Sequence, residues 1–230
     1  MAHVNDTKKY INDQGIEVPR VSSILKSLNK DALVHWANYL GFKRISYTKE
    51  LNRTAIVGTA AHDTIDEILT NMFHRYGAFM YGIFESKSVM EYDNCMKSFS
   101  KWYEKNWWLK DNLLFIDLEL VGDSFGGTLD YVGKSPYNKD NAVIIDWKTS
   151  KMMTLTHFLQ LAAYIRLWEK HYPTLILDGV LIVRMNKKDG KIAEEKFISR
   201  EDMELFIELF EHLLEVTILS EKAKIDYKLK

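Results

Sequence analysis

The spacing of apolar positions changes once along the chain, from helical in its first half to strand-like near residue 113. Leu33, Trp36, Ala37 and Leu40 recur at three- and four-residue spacing and predict a helix over about 31–40 with those residues as core. His62, Ile65, Asp66 and Leu69 repeat that pattern in a helix opening at Gly58-Thr59, with Thr59 as its N-cap. A third helix, about 86–108, is rich in aromatics: Tyr92, Phe99, Trp102, Tyr103, Trp107 and Trp108. Stacking on bases is open to such residues, but core packing is expected for most of them. Before these helices, residues 1–18 are polar and expected to be loosely ordered. Val18-Pro19-Arg20 reads as an extended approach to a short helix capped by Ser22 or Ser23. Glycines punctuate 76–82, which reads as a loop.

From Leu113 the period falls to two. Phe115–Val121 alternates, and Phe125–Gly133 follows after a turn as the second strand of a hairpin. Ala142–Lys148 is an apolar run of the kind a buried central strand gives. Leu155–Tyr172 is apolar on nearly every side, hence a helix expected between two layers. Val180–Val183 reads as a strand joined by a turn to Lys191–Ser199. A last helix, about 200–219, carries the stripe Met203, Phe206, Ile207, Phe210, Leu213 and Leu214. The chain therefore divides into an N-terminal helical part (1–112), a sheet-bearing core (113–199) and a C-terminal helix with a basic tail (200–230). At 230 residues these fit one compact domain.

The candidate chemistry sits at the end of the apolar run. Side chains alternate across a strand, so Asp146 and Lys148 share one face while Ile145 and Trp147 share the other. A buried carboxylate and ammonium need compensation from a metal, a partner charge or a polar substrate; a strand-end salt bridge reaching solvent is the plainer reading. Asp130 interrupts an otherwise apolar strand after the pair Gly126-Gly127. Gln160 and Tyr164, four apart, share one side of the buried helix and require hydrogen-bond partners. His62 lies on or beside a buried stripe, where a satisfied core histidine is the commoner finding.

Composition narrows the context. The net charge is −1, which argues against coating nucleic acid by bulk electrostatics. Residues 1–60 nonetheless carry nine basic against five acidic side chains, a charge suited to gripping a phosphate chain. A single cysteine, Cys95, excludes a disulfide framework and any cysteine-rich zinc or iron–sulfur site, and fits a reducing compartment. No apolar run approaches the roughly 20 residues of a membrane span, and the first residues lack signal-peptide shape, so a cytoplasmic location is expected.

Taken together, Gly58-Thr59-Ala60-Ala61-His62, Gly127-Thr128-Leu129-Asp130, Asp146-Trp147-Lys148 and Gln160-Leu161-Ala162-Ala163-Tyr164 form an ordered set. Over roughly residues 18–198 this set resembles the RecB-like branch of the PD-(D/E)XK nuclease superfamily. Pro19-Arg20-Val21-Ser22-Ser23-Ile24-Leu25 is similar to the opening of phage and mitochondrial members. Members that hold an iron–sulfur cluster with four cysteines are a different subclass.

The resemblance implies an α/β, restriction-endonuclease-like core: a mixed central sheet flanked by helices. It implies Mg²⁺ or Mn²⁺ held by Asp130, Asp146, His62 and the backbone carbonyl of Trp147, with no iron–sulfur cluster. Lys148 is then expected to orient the attacking water or stabilise the phosphorane, with Gln160 and Tyr164 holding the site and the DNA. Glu119 is either a further metal-site carboxylate or a surface residue; Thr149, Ser150 and Lys151 sit at the mouth, within reach of a phosphate. The implied activity is a metal-dependent DNA exonuclease acting on single strands or ends in replication, recombination or repair, in a setting that includes phages and a replication or recombination partner protein. An endonuclease of the same fold, an inactive nucleic-acid-binding module and a structural domain are the alternatives, and oligomeric state is open.

Overall fold

The structure, a computed structural model of the chain, describes residues 9–70 and 85–228, without the side chains of residues 27 and 29–32. The stretch 76–82, read above as a loop, lies outside them.

Of the segment 1–18 expected to be loosely ordered, residues 1–8 lie outside the described ones, and the rest forms a small hairpin, β1 (Tyr10–Ile11) and β2 (Glu17–Val18). Asn12 closes its turn by accepting the N–H groups of Gln14 and Ile16, and its amide donates to the carbonyl of Asp123. Tyr10 is buried and its hydroxyl meets that of Thr128 at 2.9 Å. The ordering force is thus tertiary. A short helix α1 (Val21–Leu25) follows and begins two or three residues earlier than a cap at Ser22 or Ser23 gives, with Arg20 in the capping position and no side-chain cap. Its start is set by the sheet: Gly126 donates its N–H to the carbonyl of Pro19, and Arg20 bridges to Gly126.

A 3₁₀ turn leads into α2 (Lys30–Phe42). Leu40 is buried, but Leu33 is exposed and Trp36 only half-buried, so the expected core stripe does not form among the described side chains. The next helix, α3 (Tyr47–Thr70), does not open at Gly58-Thr59 but runs straight through them, eleven and twelve residues after its true start. Ser46 caps it, accepting the N–H of Lys49. Glycine inside a helix costs about 1 kcal/mol relative to alanine. Here it admits a neighbour, since a Cβ on Gly58 would stand 3.2 Å from the Thr149 hydroxyl.

Helix α4 (Ser86–Tyr103) stops short of the predicted 108, and a four-residue helix α5 (Trp108–Asp111) follows. Arg53 fastens α3 to α4 through bidentate contacts to Glu50 and Glu91, and these contacts hold the Glu50 carboxyl down at about 2.

The remaining strands, β3 (Leu113–Val121), β4 (Gly126–Lys134), β5 (Ala142–Lys148), β6 (Leu177–Arg184) and β7 (Glu194–Ser199), form one sheet in sequence order. All neighbours are antiparallel except β5 and β6, which are parallel and joined through α6 (Leu155–His171). The last helix is α7 (Glu204–Tyr227). One sheet face packs Ile144, Val180 and Ile182 against α1, α6 and α7; the other packs Val143, Ile145 and Trp147 against α3, α4 and α5. Coverage on both faces explains why β5 is buried along its whole length except at Lys148. Among the described residues no helix is long and apolar enough to cross a membrane.

Candidate active site

Strands β4 and β5 pair over only four positions, ending at Tyr131 opposite Ile145. Beyond that pair β4 continues beside β3, and β5 continues beside β6 to Lys148 opposite Arg184. The two strands therefore part, and the candidate residues gather in the opening. The N–H of Trp147, left without a strand partner, donates to Oδ2 of Asp130 at 2.9 Å. His62, reaching in from α3, sets Nδ1 3.5 Å from the same oxygen.

Asp146 is 1% exposed. Its Oδ1 meets no donor, and its Oδ2 touches the Lys148 ammonium. As the alternation predicted, both lie on the α6 side of β5, while Trp147 points the other way into a cluster of Phe99, Trp102 and Tyr131. On α6, Gln160 donates through Nε2 to the Tyr164 hydroxyl at 2.7 Å. Tyr164 reaches the opening because Gly127 has no side chain: a Cβ there would stand 2.7 Å from the tyrosine ring. Gly126 likewise makes room for the ring of Tyr10.

Burial and like charge set the protonation of this group. Burial lifts Asp146 to about 6 against the opposing Lys148 ammonium, with the Asp130 charge adding to the rise. Asp130 is lifted to about 6 for the same first reason, while Lys148 and the Trp147 N–H pull it down. His62 is depressed to about 4 by burial and by Lys148, although Asp146, Asp117 and the Trp147 backbone favour its protonated form. At neutral pH it is a neutral imidazole, the form that binds metals. Burial and the carboxylates nearby raise Tyr164 well above its ordinary value, so its proton stays on.

Three residues join the site without having been marked in the sequence as part of it. Asp117 stands in β3 between the pairs Ile116–Tyr131 and Leu118–Leu129, a register that sets it across from Asp130. Its φ is 48° although the strand continues through it, a conformation uncommon for any residue but glycine. Asp66, one helical turn beyond His62, lies beside Asp117 and is pushed up to about 9, first by burial and then by Asp117 and Asp130. Its place beside His62 on the stripe was the available signal. His157, at the start of α6, accepts the Thr154 N–H and is depressed to about 4 by burial and Lys148.

The outlying expectations fare differently. Glu119 and Asp117 are both exposed, and Asp117 is a strand acid whose charge acts on Asp130, Asp66 and His62. Thr149 lies against Gly58 of α3; Ser150 turns back to the carbonyl of Met152, and Lys151 is exposed.

Two buried oxygens without donors, on Asp146 and Asp66, together with an imidazole and a second aspartate, suit a hard divalent cation. Among the described residues no three histidines, cysteines or acids converge closely enough to make a finished cation cage; here Lys148 supplies the positive charge to Asp146.

A mixed sheet with two aspartates and a lysine gathered where neighbouring strands part has the build of a nuclease. The chain belongs to the PD-(D/E)XK nuclease superfamily, whose family model matches residues 33–227. Its α/β sheet flanked by helices is the restriction-endonuclease-like fold. Members of the superfamily generally use divalent metal ions, and the fold implies a nucleic-acid substrate. No curated protein matches the chain in sequence. Among solved structures, a candidate exonuclease from Eubacterium rectale is similar at 9% identity and a TM-score of 0.49, covering 77% of this chain and 69% of that one.

Proposed function

We propose that this nuclease is a Mg²⁺- or Mn²⁺-dependent deoxyribonuclease, an exonuclease acting on single-stranded DNA or DNA ends during replication, recombination or repair. The observation that carries the reading is the convergence of Asp130, Asp146, Lys148 and His62 where β4 and β5 separate, with Gln160 and Tyr164 behind them. Asp130, Asp146, His62 and the Trp147 carbonyl are the groups that would hold the cation. A bound divalent ion supplies a Lewis acid for the phosphate and lowers the pKa of water.

The chain's own residues do the rest. Lys148 carries a compact ammonium with several donors, suited to orienting an attacking water or a phosphate oxygen. Gln160 donates to the Tyr164 oxygen and so leaves the tyrosine proton free for donation. His62 stays neutral and keeps a lone pair available. A reducing, cytosolic setting suits the single thiol, Cys95, which is buried.

The test is cleavage of end-labelled linear and circular single-stranded DNA with Mg²⁺, Mn²⁺ or chelator. The expected result is degradation of the linear form alone, abolished by chelator and in Asp146→Asn and Lys148→Ala. Nicking of circles moves the assignment to endonuclease. Retained DNA binding without cleavage by any metal moves it to an inactive binding module.

A further inference from the structure

The C-terminal end of α2 carries side chains that neither the core nor the site uses. Tyr39 and Phe42 stand three residues apart, hence on one helix face, and are 59% and 84% exposed. Lys43 Nζ lies 6.0 Å from the centroid of each ring. Two large, exposed aromatic side chains thus flank a single cation.

The helix end that presents them is well defined. Ile45 donates its N–H to the Leu40 carbonyl and Arg44 to that of Gly41, the paired bonds of a Schellman ending. Arg44 holds the left-handed position, φ 56°, where glycine is the favoured residue. A guanidinium is therefore kept at a backbone position that disfavours it. Leu40 is buried beneath, and Trp36 packs edge-on against Tyr47 at 5.2 Å, tying α2 to the start of α3.

Charge says what this surface suits. Between Asp31 and Glu50 the chain has no acidic residue, whereas it has Lys43, Arg44 and Lys49. Lys49 pairs with Glu85; among the described residues Lys43 and Arg44 form no ion pair. Exposed aromatic faces interleaved with unpaired cations fit a strand of unpaired nucleotides, its bases on the rings and its phosphates on the lysine and arginine.

We propose that Tyr39, Phe42, Lys43 and Arg44 form a stacking platform for single-stranded nucleic acid, remote from the catalytic opening. The proposal deepens the nuclease reading and rests on it. Tyr47, the first residue of α3, lies roughly 22 Å from His62 along the helix, which at about 3.4 Å per stacked nucleotide is six or seven nucleotides. The platform thus acts on strands long enough to reach it and confers preference for unpaired over paired ends. Duplex DNA, whose bases are already stacked on one another, gains nothing from it.

The experiment is fluorescence anisotropy in chelator, which blocks cleavage, with labelled 15-mers: oligothymidylate, oligouridylate, an abasic oligomer and a blunt duplex. Wild-type protein is expected to bind the base-bearing single strands about tenfold or more tighter than the abasic one. Tyr39→Ala/Phe42→Ala removes that preference for thymidylate and uridylate alike. Arg44→Gly favours the helix end, so it cannot act by unfolding; it is expected to lower the slope of log affinity against log salt by about 0.7. The proposal is overturned if the double variant, with unchanged circular dichroism and Tm, keeps the preference. It is overturned equally if the variant loses abasic and base-bearing strands alike, or if the wild type binds no single strand. Failure of the nuclease reading is a separate result, namely no hydrolysis by the wild type with any divalent ion.

Discussion

Asp130 accepts the backbone N–H of Trp147 at 2.9 Å across the gap where β4 and β5 cease to pair. One carboxylate thus replaces a missing ladder bond and also faces His62, linking a helix on one side of the sheet to the strand that carries Asp146 and Lys148. Asparagine can keep the acceptor but not the charge. Asp130→Asn is expected to stay within about 1 kcal/mol of wild-type stability in urea unfolding, whereas Asp130→Ala, which strands the Trp147 N–H, costs about 1–3 kcal/mol. Both should lose metal-dependent cleavage; retained activity in either would remove Asp130 from the site.

Gly127 is expected to be intolerant of a methyl group. A Cβ there stands 2.7 Å from Cε1 of Tyr164, a ring buried among strand and helix and unable to swing aside. Overpacking of this kind costs about 1–3 kcal/mol. Gly127→Ala should lower Tm and depress activity, and Gly127→Ala/Tyr164→Ala should recover part of the stability loss. A Gly127→Ala protein as stable and active as wild type would show that Tyr164 does not need its present place.

Acidity separates the candidate ligands. Asp130 and Asp146 are lifted to about 6, while His62 is lowered to about 4. The two acids therefore lose their charge as pH falls through 6, where His62 is still neutral. Cation affinity should drop steeply between pH 7 and 5, with the aspartates and not the histidine setting the midpoint. In the metal-free protein a raised carboxyl pKa contributes stability that is fully present below about 4 and lost as pH rises through 6. The histidine's contribution has the opposite sense, present above 6.5 and lost as pH falls towards 4. A cation should accordingly raise Tm more at pH 8 than at pH 5.5. Calorimetric titration with Mn²⁺ and melting curves across that range check both; flat affinity from pH 5 to 8 would contradict the assignment.

Asp66 is expected to be protonated at neutral pH, since burial and its acidic neighbours push it up to about 9. Asp66→Asn then replaces one neutral donor with another and should leave metal-free stability at pH 7 within about 0.5 kcal/mol. Asp66→Ala removes the partner of Asp117 and should cost more. Comparison of cation affinity in the two variants tells whether Asp66 belongs to the metal's surroundings; equal, wild-type affinity in both would place it outside them.

Much of the core was legible because its signals are local. Strand period two is enough to set Asp146 and Lys148 on one face with Trp147 on the other, and helix spacing brings Gln160 to Tyr164. The apolar run Ala142–Ile145 announced the central strand, and the loss of helical period near residue 113 announced the sheet. Tertiary structure decided what local rules cannot see. Asp117 takes the place beside Asp130 that even alternation offered equally to Glu119, because the register of β3 on β4 sets Asp117 across from Asp130 and Glu119 across from Thr128. Gly58-Thr59 looks like a helix start, but α3 passes through it, since the missing Cβ serves a contact with Thr149, remote in sequence. The hairpin at Tyr10 and the beginning of α1 likewise depend on Gly126 and Thr128. Periodicity reports which way a side chain points from its own element; which elements come together, and where paired strands part, is set by contacts between residues far apart in the chain.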